Sequence, residues 1–176
     1  MLAKYRAIDR CRLCENTELV PVLSLGTQCM TGLFPRADAP AIAAGPLELV
    51  KCHGSDSVCG LLQLKHSYDG DLMYGQEYGY RSSLNRGMVQ HLRTKAENLQ
   101  RRVALRSTDI VLDIGSNDGT SLSFYPKDGP TLIGIDPTSR KFLKYYQPHI
   151  RAIPEFFSAM AFRKAAGSDD AKARIV

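Results

Sequence analysis

The stretch Ile110-Val111-Leu112 closes on Asp113-Ile114-Gly115-Ser116-Asn117-Asp118-Gly119, and no other segment limits the possible folds as much. An unbroken apolar run of strand length is a strand covered on both faces, which requires a layer of structure on each side. Thr131-Leu132-Ile133-Gly134-Ile135 is a second such run, and a third strand-and-helix unit is expected to start at His149-Ile150-Arg151-Ala152-Ile153. Runs of this kind, separated by helix-length stretches, predict an α/β unit with a parallel sheet. The first strand is expected to lead into a helix starting near Asp118. The second leads to a helix capped by Thr138 or Ser139, with Phe142, Leu143 and Tyr146 on one side. The third leads to a helix ending at Gly167, and Lys172 to Val176 begins a fourth strand. An open sheet that stops there leaves a central edge unpaired, so the sequence reads as the N-terminal part of a longer protein.

In such sheets a ligand binds at the carboxyl ends of the strands, where the first strand turns into the segment that follows it. Gly115 frees the backbone to turn and Gly119 removes a Cβ near the ligand, while Asn117 tolerates left-handed backbone. Asp136 stands 21 residues after Gly115, at the tip of the second strand, where a carboxylate can accept both ribose hydroxyl protons. A dinucleotide site wants G-x-G-x-x-G, so that amides can approach a pyrophosphate. Here Asn117 and Thr120 replace the second and third glycines. The turn therefore suits a nucleoside without phosphates, such as S-adenosylmethionine, better than NAD. Asp113 either faces the cationic methionine end or only caps the turn.

All five cysteines lie before Leu64, among Gly, Pro and short apolar runs. Cys11-Arg12-Leu13-Cys14 is a C-x2-C knuckle, and Cys52 with Cys59 supplies a second, wider pair. Four thiolates fill a tetrahedron and leave no open position for water, so the implied Zn2+ is structural, in a module too small to be stable unaided. His53 is an alternative fourth ligand or an exposed loop histidine. Cys29 is expected to be a small buried apolar residue.

Between the two parts, Val89, Leu92, Ala96, Leu99 and Val103 recur at helical spacing, predicting an amphipathic helix within Asn85–Arg106 that joins them. The expected domains are thus 1–84, zinc-binding and substrate-contacting; 85–106, a linker helix; and 107–176, the start of a Rossmann-like domain. The net charge of +5 is concentrated in that helix, in Arg86, Arg93, Lys95, Arg101, Arg102 and Arg106 against Glu97. Such a stripe is either a solvated face or a nucleic-acid contact; without interleaved aromatics the solvated face is preferred. Neither a leader-type apolar region nor a membrane-length apolar run is present in the sequence. A cytoplasmic protein with reduced cysteines is expected.

Together these stretches resemble the nucleotide-sugar C-methyltransferase family, in which a zinc-binding module precedes a class I S-adenosylmethionine-dependent methyltransferase fold. The resemblance rests on Cys11-x2-Cys14, Leu23 to Gln28, Cys59 to Leu64, Tyr78-Gly79-Tyr80-Arg81-Ser82-Ser83, Ile114 to Thr120 and Gly134-Ile135-Asp136-Pro137, in the family's order. It implies a methyl transfer to carbon on a nucleotide-linked keto-deoxysugar, through a base-generated enolate that attacks the methyl group. It places Asp113, Gly115, Ser116, Asn117, Asp118, Gly119, Asp136 and Pro137 around the cofactor. Tyr78 and Tyr80 lie at the substrate end or serve only as packing, and Arg81 and Ser82 reach the sugar or its diphosphate. The family's chains are longer and carry their principal base beyond this sequence, so these 176 residues alone are expected to be inactive. The family's second cysteine pair is closer than Cys52 and Cys59, so His53 to Val58 must loop out.

Overall fold

The computed structural model describes residues 4–30, 32, 38, 42–55, 57–75 and 78–176, and it divides into two units, Met1–Gly79 and Tyr80–Val176.

In the first unit β2 (Leu19–Cys29), β3 (Ala44–Cys52) and β4 (Leu62–Leu64) form an antiparallel sheet in that order, and β1 (Tyr5–Ala7) pairs with β5 (His66–Tyr68). A short helix α1 (Gly70–Tyr74) is capped by Asp69, whose carboxylate accepts the N–H groups of Asp71 and Leu72. Little is buried here: Cys11, Met30, Val50 and Cys52 are the buried apolar residues described in this unit, beside the polar Gln63 and His66. Two of these four are cysteines. A core of this size leaves the stability of the unit dependent on cross-links. Cys29 corrects the sequence expectation: it is exposed, at the end of β2, because the whole stretch from Pro21 to Cys29 is exposed.

The second unit is a parallel sheet, β6 (Ile110–Ile114), β7 (Thr131–Ile135) and β8 (Ile150–Ile153), in that order. On the free side of β6, Val111 bridges Ile175 in parallel; Leu112 N–H donates to the Ile175 carbonyl at 3.0 Å and Arg174 N–H to that of Ile110 at 2.8 Å. The chain thus crosses from β8 to the opposite edge, and the strand order reverses beside β6. Both faces of the sheet are covered, as the apolar runs require. Val111, Leu132 and Ile150 pack with Ala96 of α2 (Arg86–Arg102), while Leu112, Ile133 and Ile135 pack with Ala161 and Phe162 of α4 (Ala159–Ala166).

α2 buries Ala96 and half-buries Val89, Leu92 and Leu99, and Val103 just past its end is half-buried too, the stripe read from the sequence. Asn85 caps it by accepting the Met88 N–H at 3.1 Å. α4 ends on Gly167 at φ 77°, whose N–H returns to the Arg163 carbonyl. The segment after β6 departs from expectation: no α-helix starts at Asp118, and only a 3-10 turn forms at Leu122–Phe124. Pro126 follows too closely, because a proline disfavours helical backbone in the residue before it, and Tyr125 is extended. α3 (Ser139–Phe142) is likewise one turn, continued by a 3-10 turn at Leu143–Tyr145. No helix among the described residues is long and apolar enough to cross a membrane.

Candidate metal centre and candidate nucleoside site

Cys11, Cys14, Cys52 and Cys59 bring their sulfur atoms within 4.8 Å of one another. Cys11 and Cys59 stand 3.5 Å apart, and Cys14 and Cys52 3.6 Å. A zinc–sulfur bond of about 2.3 Å gives a tetrahedron with edges of roughly 3.8 Å, so the cluster is already near metal dimensions. The six-residue gap in the second pair is absorbed by a hairpin. Cys52 ends β3 and its N–H donates to the Leu61 carbonyl at 2.9 Å, so Cys59 re-enters from the opposite arm. Glu15 and Gly60, each just after a ligand, take left-handed backbone at φ 61° and 68°. His53 lies apart from the four sulfurs, exposed, with Nε2 3.9 Å from a Glu18 oxygen.

The protons on this cluster show what it wants. The N–H groups of Cys14 and Leu13 hold the Cys11 thiol down to about 6, and those of Cys59 and Asn16 lower Cys14. Cys59 goes the other way: the Leu61 N–H favours its thiolate, but burial and the neighbouring sulfurs outweigh this and push it up to about 12. Four sulfurs this close cannot all ionise without a cation among them. The donor set therefore fits Zn2+. Two residues that the sequence reading missed orient it. Gln63 donates to the Cys11 sulfur at 3.2 Å, and Asn16 to the Cys52 sulfur at 3.3 Å. Such outer partners fix ligand geometry; a glutamine between Leu62 and Leu64 was the available signal.

In the second unit the turn after β6 has Gly115 at φ 77°, Asn117 at φ 50° and Gly119 at φ 75°. A Cβ on Gly115 would meet nothing within 4 Å, so open space lies over the hinge. Asp136, 7% exposed, accepts the Asn117 N–H at 2.8 Å on one oxygen and the Thr138 N–H and hydroxyl, both at 2.6 Å, on the other. A carboxylate offers about four acceptor positions, so three are engaged within the turn and one remains. Asp118 is buried as well; its oxygens accept the Ser83 N–H at 3.0 Å and the Thr120 N–H and hydroxyl. Burial opposes ionisation there, but the bonds from Thr120 and Ser83 prevail and lower its pKa.

Asp113 is half-buried, and desolvation raises its pKa to about 6, against the attraction of Lys95 and with the repulsion of Asp136. Ser116 Oγ lies 2.8 Å from the Tyr146 hydroxyl, which donates to the Asn117 carbonyl at 3.0 Å. Pro137 is half-buried beside Asp136. The Asn117 amide accepts the Ser82 N–H at 2.9 Å and donates to the Tyr80 carbonyl at 3.1 Å. The segment 80–83 is thereby latched to the turn, and Arg81 within it stacks on Tyr145, its guanidinium carbon 3.9 Å from the ring centre. Tyr78 belongs to the first unit, half-buried, with its ring against Gly32 and 5.6 Å from that of Tyr74.

A four-cysteine module followed by a parallel α/β unit, with an acidic, glycine-hinged turn at the strand tips, defines a two-module α/β protein with a zinc-binding head. Residues 11–74 match the family described as a putative zinc binding domain. The chain is 30% identical over 156 residues to C-methyltransferase NovU of Streptomyces niveus, covering 88% of this chain and 36% of the relative. It spans about a third of that relative's length. The chain is thus similar to a C-methyltransferase over most of its length and to a zinc-binding domain over residues 11–74, in agreement with the resemblance read from its sequence.

Proposed function

We propose that this chain carries the structural zinc module and the S-adenosylmethionine turn of a C-methyltransferase acting on a nucleotide-linked keto-deoxysugar. The observation that carries the reading is the acidic turn beside the point where the strand order reverses, the position at which open α/β sheets bind ligands. Adenosylmethionine supplies an electrophilic methyl group on a sulfonium. Asp113, Asp118 and Asp136 make the turn hostile to a pyrophosphate, whereas a cationic, phosphate-free nucleoside suits it. Asp136 would accept a ribose hydroxyl, Asp113 would face the cationic end, and Gly115 would leave room for the ligand to lie against the backbone. Ser116, Asn117, Gly119 and Pro137 shape that cradle, and Asp118 keeps it in place.

A base would remove the proton next to the ketone of the acceptor sugar, and the enolate carbon would take the methyl group as the methyl–sulfur bond breaks and adenosylhomocysteine leaves. Tyr78 and Tyr80 are each candidates to hydrogen-bond the developing enolate oxygen through the phenol. The domain plan 1–84, 85–106 and 107–176 assigns substrate contact to the first part and the cofactor to the last. A reducing, cytoplasmic setting keeps the cysteines available for zinc.

Calorimetric titration with adenosylhomocysteine and NAD+ tests the proposal. We expect saturable binding of adenosylhomocysteine, undisturbed by NAD+. Binding of NAD+ alone, or steeply salt-dependent RNA or DNA binding with no response to adenosylhomocysteine, overturns it.

A further inference from the structure

The four sulfurs of the cysteine cluster are not equivalent. Cys11 and Cys52 are 0% and 1% exposed, and each is braced from outside the cluster, Cys11 by the Gln63 amide at 3.2 Å and Cys52 by the Asn16 amide at 3.3 Å. Cys14 is half-buried. Cys59 is exposed, at the end of a stretch from His53 whose described residues are exposed apart from the half-buried Val58. Its support from outside the cluster is a backbone N–H, that of Leu61. Gly60, the next residue, turns at φ 68°, and a Cβ on it would meet nothing within 4 Å. One of the four cysteines therefore borders open space, and its sulfur stands 3.5 Å from that of the buried Cys11.

Thiolate character, access and a second sulfur within reach decide which cysteine an oxidant takes. Coordination to Zn2+ makes all four sulfurs thiolates, so access selects among them, and Cys59 is the exposed one. We propose that Cys59 is an oxidation site through which peroxides open the zinc module, with Cys11 as the resolving thiol. The Cys59 sulfur attacks one oxygen of hydrogen peroxide: an S–O bond forms, the O–O bond breaks and hydroxide leaves, giving a sulfenic acid. The Cys11 sulfur then attacks that of Cys59; the S–S bond forms, the S–O bond breaks and a second hydroxide leaves. Two thiolates have given up two electrons, and the peroxide has taken them. A single S–S bond then replaces a four-point cross-link, in a unit whose own core is small. The inference rests on the fit of the four sulfurs to Zn2+ and not on the proposed methyl transfer.

Limiting hydrogen peroxide, added to the zinc-loaded Cys29→Ser variant of the 176-residue chain, tests the site; the substitution removes the exposed cysteine that lies outside the cluster. A chromogenic chelator follows the zinc, and peptide mapping without reduction follows the thiols. Zinc should be released in step with a Cys11–Cys59 disulfide while Cys14 and Cys52 are still alkylated as free thiols, and a dithiol with added zinc should restore the cluster. Cys59→His in the same background keeps a ligand set of a kind that holds structural zinc, and should release zinc to peroxide about tenfold more slowly. If that variant does not hold zinc, the map of the Cys29→Ser protein decides. A first disulfide other than Cys11–Cys59, zinc release that precedes any change at Cys59, or a zinc-loaded histidine variant that loses its metal at the parental rate overturns the proposal.

Discussion

Gly134 lies in β7 beneath the turn, and a methyl group there would stand 2.6 Å from Ser116 Oγ, 2.9 Å from Ser116 Cβ and 3.2 Å from Leu122 Cδ1. Non-bonded carbons settle at about 3.5–4.0 Å, so Gly134→Ala forces Ser116 away and stretches its 2.8 Å contact with Tyr146. Overpacking of a tight interior costs about 1–3 kcal/mol, and a lost hydrogen bond adds about 1 kcal/mol. For a unit of about 100 residues the sum lowers the melting temperature by roughly 10–20 °C. Ser116→Gly removes both clashing atoms, so the double variant should recover more than half of the loss, a non-additivity above about 1 kcal/mol. Hydrogen exchange at the β6 and β7 amides reads the second unit without interference from the first, and adenosylhomocysteine affinity reports the displaced turn. An alanine variant that keeps parental exchange rates, or a double variant no better than the single, would refute the packing argument.

Removing zinc with a chelator should unfold the first unit while amide protection in β6–β8 persists; Gln63→Leu, which withdraws the donor to Cys11, should weaken zinc binding about tenfold in a competition assay. Simultaneous loss of protection in both units on chelation would count against a metal that serves one unit alone. Asp113 predicts a pH signature. Its pKa is raised to about 6 from 3.8, so the folded state binds more protons than the unfolded one between those values. Its contribution to stability is therefore complete below about pH 4 and is lost as pH rises through about 6. Asp113→Asn should flatten that slope and stabilise the second unit at pH 7 by up to about 3 kcal/mol, while weakening adenosylmethionine more than adenosylhomocysteine, which lacks the sulfonium charge. A variant with the parental pH slope contradicts the assignment of the buried charge.

The parallel sheet was legible because Ile110–Leu112 and Thr131–Ile135 lack alternation, and burial on both faces follows from that alone; β8, with its exposed Arg151, carries a weaker signal. The stripe of α2 was legible for the same kind of reason, through its three-and-four spacing. What failed was local. The expected helix after Gly119 depends on how many residues separate the turn from Pro126, a competition that periodicity does not weigh. Cys29 reads as apolar by composition, but its exposure depends on what covers β2, which no pattern within the strand states. The wide Cys52/Cys59 pair was ambiguous in one dimension and simple in three, since Cys52 and Leu61 are bonded across a hairpin. The latch of Tyr80–Ser83 onto Asn117 and Asp118 joins residues 35 or more apart in sequence, and no local signal encodes it.

Asn117 shows why this turn departs from a dinucleotide loop instead of being a degraded copy of one. A glycine at that place lets backbone amides approach a pyrophosphate. Here the left-handed backbone is kept at φ 50°, but the side chain is used: its oxygen takes the Ser82 N–H and its nitrogen gives to the Tyr80 carbonyl. Its own N–H is held by Asp136 at 2.8 Å, so the amide that a phosphate would need is already bound to a carboxylate. A pyrophosphate would have to displace the Asp136 side chain from that amide, in a buried setting where repulsion between like charges is strong. The exchange of glycine for asparagine thus does two things at once. It closes the turn to phosphates and ties it to the segment carrying Arg81, the cation that lies nearest in sequence to those bonds.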